Sequence, residues 1–181
     1  VHAKVALVLR RHKDGLLKRS FAYISTGNFN EKTATVYADS ALITSKQEIV
    51  DDLYNLFSFL RRDITEPKFK HLLVPRFNLL PELKRRLEFE KNMAKAGKKA
   101  YIILKMNALQ DPAMIDELYR ASEVGVQIDL IIRGICCLIP NQSYSKNIRV
   151  TRIVDGFLEH ARVGYFYNGG KPMVYMGSPD W

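Results

Sequence analysis

Two short apolar runs and the segment between them constrain the fold more than any other part of the chain. Residues 100–106 read AYIILKM and residues 126–132 read VQIDLII, each of strand length. Between them Asp111-Pro112 offers a cap with proline at the first helical position. Ile115, Leu118, Tyr119 and Ser122 then line one helical face, and Gly125 ends it. Upstream, residues 71–74 (HLLV) read as a short strand. A helix follows from about Leu80 through Leu83, Leu87 and Ala94, stopping at Gly97. Strand-helix-strand-helix-strand order argues α/β layering around a mainly parallel sheet. A polar loop at 141–147 and strands near 148–153, 162–166 and 172–176 complete this part.

The first third reads differently. Residues 1–10 (VHAKVALVLR) form a buried strand by composition, with further strands expected at 17–24 and 36–43. Ser45-Lys46-Gln47-Glu48 has the capping-box pattern, and Ile49, Leu53, Leu56, Phe57 and Leu60 continue it as a helix to about Arg61. Residues 62–70 (RDITEPKFK) are polar, contain Pro67 and read as a linker, so a domain boundary is expected there. The chain opens in a strand-like run without methionine and closes on GSPDW, so it reads as a piece of a longer protein.

Of the 181 residues 47% are hydrophobic, enough for a packed core, and no run approaches the ~18 apolar residues that span a bilayer. A net charge of +9, from 28 Lys+Arg against 19 Asp+Glu, favours polyanionic partners without choosing among them. A solvated basic surface with no ligand satisfies the same number, and the basic residues of the second helix (Lys84, Arg85, Arg86, Lys91 and Lys95) read as solvated. The adjacent Cys136 and Cys137 fit no zinc spacing and read as reduced, buried thiols.

Two histidine-basic motifs carry the chemistry: VHAK, with His2 and Lys4, and EHAR, with His160 and Arg162. In a strand, residues two apart share a face, so each imidazole stands beside a fixed cation. An unprotonated imidazole near neutral pH can attack phosphorus, and nearby cations offset the charge on the equatorial oxygens. A histidine on an apolar strand also serves as an ordinary hydrogen-bonded core residue, and short motifs match by chance. The clusters STGN (residues 25–28) and GSPD (177–180) are turn-forming by composition, and such loops also hold phosphate oxygens. Arg133 follows a parallel strand at its C-terminal end, the usual ligand edge of an open α/β sheet. Tyr37 and Asp39 share one face of VYAD. Tyrosine can stack on a base and aspartate can orient an imidazole, but on these residues alone ordinary packing is the better account of both. His12 and His71 receive no catalytic role.

Taken in order, VHAK, STGNFNEKTATVYAD, KMNALQDP, VQIDLIIRGICCL, FLEHARVGYFYNGG and VYMGSPDW closely resemble the bacterial polyphosphate kinase family. The resemblance implies α/β, phospholipase D-like mixed sheets flanked by helices, in two pseudo-repeated halves truncated at both ends. Residues 1–64 would be the C-terminal part of the first such domain, and 65–181 most of the second. It implies reversible transfer of the terminal phosphoryl of ATP to polyphosphate through a phosphohistidine. His2 would be the phosphorylated residue and His160 the second active-site histidine. Tyr37, Arg133 and His160 would contact ATP phosphates, Asp39 would orient His160, and Lys4 and Arg162 would complete a cationic pocket.

Also implied are Mg2+ with ligands mainly outside this segment, ATP/ADP and inorganic polyphosphate as partners, no nucleic acid, and a homo-oligomer in the full-length protein. The expected location is the cytoplasm, with peripheral contact at the inner membrane left open. Against the wider phospholipase D pattern, Leu9 occupies an aspartate position, Arg162 replaces lysine, and Ser25 stands where glycine is usual. These departures disfavour the alternative of a phosphodiesterase cleaving DNA or lipid. A non-catalytic polyanion-binding module is the other alternative. The segment alone is expected to be inactive.

Overall fold

The computed structural model of the chain describes residues 3–10, 13 and 20–181. His2, His12 and the first residues of the strand expected at 17–24 lie outside the described residues.

The larger sheet has five strands. β5 (Tyr101–Met106), β6 (Gln127–Ile132) and β7 (Ile148–Arg152) run parallel, and β9 (Arg162–Phe166) and β10 (Met173–Gly177) join antiparallel beyond β5, in the order β10-β9-β5-β6-β7. Within β5 and β6 alternate residues are buried. Ile102, Leu104 and Met106 pair in register with Ile128, Leu130 and Ile132, all within one core. That core also takes Leu83 and Leu87 from α3 (Leu79–Lys95), and Met114, Ile115, Leu118 and Ala121 from α4 (Pro112–Glu123). Both helices therefore contribute to the core on one sheet face. Lys105 and Asp129 stand on the other, which is only partly covered. The mainly parallel expectation holds for three strands, and the remaining two make the sheet mixed.

The helix boundaries follow the chemistry read in the sequence. Asp111 caps α4 by accepting from the Met114 amide at 2.9 Å, with Pro112 behind it. Gly97 and Gly125, at φ 69° and 102°, turn the chain out after α3 and α4.

The smaller sheet contains β1 (Lys4–Val8), β2 (Phe21–Ser25) and β4 (Ala41–Thr44) in the antiparallel order β1-β2-β4. After the one-turn helix α1 (Glu31–Ala34), α2 (Gln47–Leu60) packs on this sheet through Val50 and Leu53. β1 is an edge strand with Val8 62% exposed, not the buried strand its composition suggests. The capping box at Ser45 does not form. Lys46 takes the cap position of α2 without a side-chain bond, and the Thr44 hydroxyl accepts from the Lys46 amide instead.

The expected strand at 71–74 is also absent, because side chains take its hydrogen bonds. The buried carboxylate of Asp52 on α2 accepts from the amides of Lys70, His71 and Leu72 at 2.6–3.1 Å. Asn78 accepts from the Val74 amide and donates to the Leu72 carbonyl. With those groups committed, no ladder can propagate.

The expected strand at 36–43 divides in two. β4 joins the small sheet, whereas β3 (Tyr37–Ala38) pairs in parallel with β8 (Leu158–Glu159) from the far end of the chain. This two-residue ladder is a seam between chain segments leading into the smaller and the larger sheet, extended by bonds from the Leu158 amide to the Val36 carbonyl and from the His160 amide to the Ala38 carbonyl.

Other details depart from the sequence reading. Cys136 is half-buried and Cys137 exposed, rather than both buried, and both are free. Two of the basic residues of α3 are not solvated. Lys91 is 9% exposed and paired with Glu88 and Glu117, and Arg86 donates to Glu82, Tyr175 and Asn168.

Candidate active site at the seam

Asp39 lies where the chain leaves the seam for the small sheet. Its position is set from the STGN turn. The Thr26 hydroxyl, fully buried, donates to Oδ1 of Asp39 at 3.0 Å and accepts from the Ser40 amide at 3.0 Å. The Thr26 amide donates to the Ser40 carbonyl. The Ser25 hydroxyl accepts from Gly27 and donates to the Ser40 carbonyl. STGN is thus a brace for Asp39, with its hydroxyls turned inward rather than toward a ligand.

Across the seam, Nδ1 of His160 lies 3.0 Å from Oδ1 of Asp39, with the two side chains 17% and 24% exposed. A carboxylate accepts, so Nδ1 carries the proton and Nε2 is the nitrogen left to face a ligand. The Tyr37 ring packs on the imidazole with centroids 4.8 Å apart. Arg133, just past the C-terminal end of β6, brings its guanidinium to 6.0 Å from the Tyr37 centroid and donates to the Glu159 carbonyl at 3.3 Å. The Gly134 amide bonds the Asn107 carbonyl, holding the ends of β5 and β6 together beneath Arg133.

Arg162 is two residues beyond His160. Its Nε and Nη2 form a fork on Asp180 at 3.0 and 2.7 Å, and Nη1 donates to the His160 carbonyl at 2.5 Å. Asp180, the last residue of GSPD, also accepts from the amides of Asn107 and Ala108. Burial works to raise its pKa, but Arg162 and the two amides outweigh that and leave it below the usual value.

Tyr37, Asp39, Arg133 and His160 therefore converge. Arg162 adjoins them through backbone and is neutralised by Asp180. Lys4 opens β1 opposite Ser25 in register, at the end of the small sheet where the Asp39 brace begins. Sequence reading missed three contributors: Thr26 as a brace, Gly27, and Lys105. Nζ of Lys105 lies 2.9 Å from the Ala161 carbonyl and 3.0 Å from a Glu159 carboxylate oxygen. A lone cation in an apolar strand was its signal.

Two open grooves of about 820 and 450 Å3 lie elsewhere, one at the N-terminal ends of β5–β7 and the other beside α3 and β10. Neither includes a seam residue. Among the described residues no cluster of three His, Cys, Asp or Glu side chains could hold a metal. The three acids of the site are already committed, Asp39 to His160, Glu159 to Lys105 and Asp180 to Arg162, so these residues do not fit resident Mg2+.

Fold and site define an α/β protein with a carboxylate-held imidazole among cations, suited to anionic groups in transfer. Residues 1–66 match the family model "Polyphosphate kinase C-terminal domain 1" and residues 72–181 match "Polyphosphate kinase C-terminal domain 2". The chain belongs to the polyphosphate kinase family. It is 43% identical over 182 residues to a polyphosphate kinase of Vibrio parahaemolyticus, covering 100% of this chain and 26% of that protein. A relative from Paraburkholderia phytofirmans is 45% identical over 184 residues, covering 99% and 27%. The crystal structure of polyphosphate kinase from Porphyromonas gingivalis superposes with a TM-score of 0.93 at 50% identity, over 100% of this chain and 30% of that one. The chain thus spans about a quarter of the length of the curated relatives it matches. Its mixed α/β sheets are consistent with the phospholipase D-like architecture expected from the resemblance.

Proposed function

We propose that the chain forms the histidine-pair region of a polyphosphate kinase, moving the γ-phosphoryl of ATP reversibly to inorganic polyphosphate. In the forward direction a ring nitrogen of His2 attacks the γ-phosphorus. The nitrogen–phosphorus bond forms as the bond to the bridging oxygen breaks, and ADP leaves with that electron pair. A terminal oxygen of polyphosphate then attacks the phosphohistidine, breaking the nitrogen–phosphorus bond and lengthening the chain by one unit. His160 exchanges the accompanying proton through Nε2 while Asp39 steadies Nδ1. Arg133 and Tyr37 contact the ATP phosphates and Lys4 adds positive potential around them, while Arg162, paired with Asp180, holds the His160 carbonyl. Mg2+ enters with the nucleotide, and no step is assigned to it through these residues.

The observation that most supports this reading is the Asp39–His160 bond across the seam, with Arg133 and Tyr37 around the ring. It supplies an oriented proton carrier beside a cation in a chain of this family. The proposal extends to a division at 64/65 between two phospholipase D-like domains, a homo-oligomeric full-length enzyme and a cytoplasmic location, with inner-membrane contact peripheral. Among the described residues no helix is long and apolar enough to cross a membrane.

Full-length protein incubated with γ-labelled ATP, magnesium and polyphosphate is expected to release ADP, elongate the polymer and carry acid-labile label. His2→Ala is expected to abolish that label. Undiminished labelling of this variant would remove His2 from the mechanism.

A further inference from the structure

His160 stands where the chain changes sheets. β8 bonds to β3 in the seam and β9 bonds to β5 in the large sheet, so residues 160 and 161 fall between ladders. Three consecutive carbonyls there are taken by three different cations: Arg133 on Glu159, Arg162 on His160 and Lys105 on Ala161. Arg133 and Arg162 are expected from the sequence to serve phosphate. Lys105 has no such assignment, and its placement differs from theirs. It lies on the central strand of the large sheet, between Leu104 and Met106, which are 1% and 4% exposed. Its ammonium also reaches the Glu159 carboxylate, and its side chain is 17% exposed. One cation on a rigid strand thereby grips the chain on both sides of the imidazole, by a carboxylate before it and a carbonyl after it.

We propose that Lys105 is a positioning residue for His160, fixing the 159–161 segment so that Nδ1 meets Asp39 and Nε2 faces the substrate. This deepens the phosphotransfer reading and rests on it. The bond from Arg133 to Glu159, at 3.3 Å, is long enough to yield to an arriving phosphate. The half-buried Lys105 contacts keep the segment in place when Arg133 turns to its ligand. A loose imidazole costs turnover more than binding, because proton transfer needs the ring within hydrogen-bond reach of the reacting oxygen.

The test uses intact enzyme with 15N-labelled histidines, His160 being assigned by the resonance lost in His160→Gln. In Lys105→Met, kcat is expected to fall about tenfold or more while KM for ATP stays within about twofold. The Nδ1 proton of His160, protected from solvent exchange by Asp39 in the wild type, is expected to lose that protection. Lys105→Arg keeps a cation on both oxygens and is expected to restore the protected resonance and most of the turnover. Lys105→Met with wild-type turnover and a protected proton overturns the proposal. So does an arginine variant that melts normally yet is as impaired as methionine. If Lys105→Met does not fold, Lys105→Gln, with a donor for Ala161 but no charge for Glu159, must show the same loss of protection or the proposal falls. Should wild-type enzyme release no ADP from ATP, the phosphotransfer reading fails, while the His160 resonance still decides whether Lys105 holds the ring.

Discussion

A methyl group on Gly27 would lie 2.5 Å from Oδ2 of Asp39, closer than any real contact allows, so the glycine is there to let the carboxylate approach. Gly27→Ala must push Asp39 away from His160. Activity is expected to fall about a hundredfold, the scale of a misplaced acid–base group, with little change in melting temperature. Steady-state kinetics beside a thermal melt would check this, and unchanged kcat would mean the Asp39–His160 bond does not matter. Arg133 and His160 were legible as candidates from the residues themselves, Tyr37 and Asp39 gained a site role only through the family resemblance, and the fold brings all four together. Their braces were not legible. Thr26 and Gly27 act through a buried hydroxyl and through missing volume, and neither leaves a mark in a pattern of charge or hydropathy. STGN looked like a ligand-holding turn because inward-turned hydroxyls are indistinguishable in sequence from outward-turned ones.

Among the elements, those with many residues of one periodicity were read correctly, as α4 with its Asp111 cap shows. Those decided by a few hydrogen bonds were not. Residues 71–74 carry apolar side chains that suit a strand, yet Asp52, nineteen positions before His71, has already claimed the backbone amides. Asp52→Ala leaves those partly buried amides without their charged acceptor and is expected to cost about 2–4 kcal/mol. Asp52→Asn, with one acceptor oxygen left, is expected to cost less. Urea unfolding measures both, and a loss below about 0.5 kcal/mol for the alanine variant would show the carboxylate to be incidental. On α3, basic residues spaced for solvent were instead drawn into networks that combine acids of the same helix, Glu82 and Glu88, with groups from other elements. Glu117 on α4 holds Lys91, and Tyr175 on β10 joins Arg86 at Glu82. The pairs within α3 are legible in its spacing, whereas Glu117 and Tyr175, 26 and 89 positions away, are not.

For the molecule as a whole, a set of paired carboxylates gives stability a direction with pH. Glu82 is lowered from its ordinary 4.5 to about 2, first by the hydrogen bond from Arg85. Glu117 is lowered chiefly by Lys91. Asp129 and Asp180 are lowered because Arg149 and Arg162 outweigh the opposing effect of burial. Each native pKa lies below its unfolded value, so this stabilisation is present above the ordinary carboxylate range and is lost as pH falls through the native values. Glu90 works the other way. Fully buried on α3 and bonded to the amides of Tyr101 and Asn168, it is raised by burial and contributes most when protonated. Four lowered groups against one raised group predict a denaturant midpoint that declines from pH 5 to pH 2. In Glu82→Gln the decline between 4.5 and 2 is expected to flatten. A wild-type midpoint constant over that range would refute the prediction. The layering of the large sheet was legible at this scale, whereas the seam was not, since two-residue strands far apart in sequence carry no period. Asp39 and His160 lie 121 positions apart. A recombination crossover anywhere between their codons sends the imidazole and its acid to different descendants. Chimaeras of homologous genes inherit the Asp39–His160 bond only when the incoming segment docks against the resident one with the ancestral alignment.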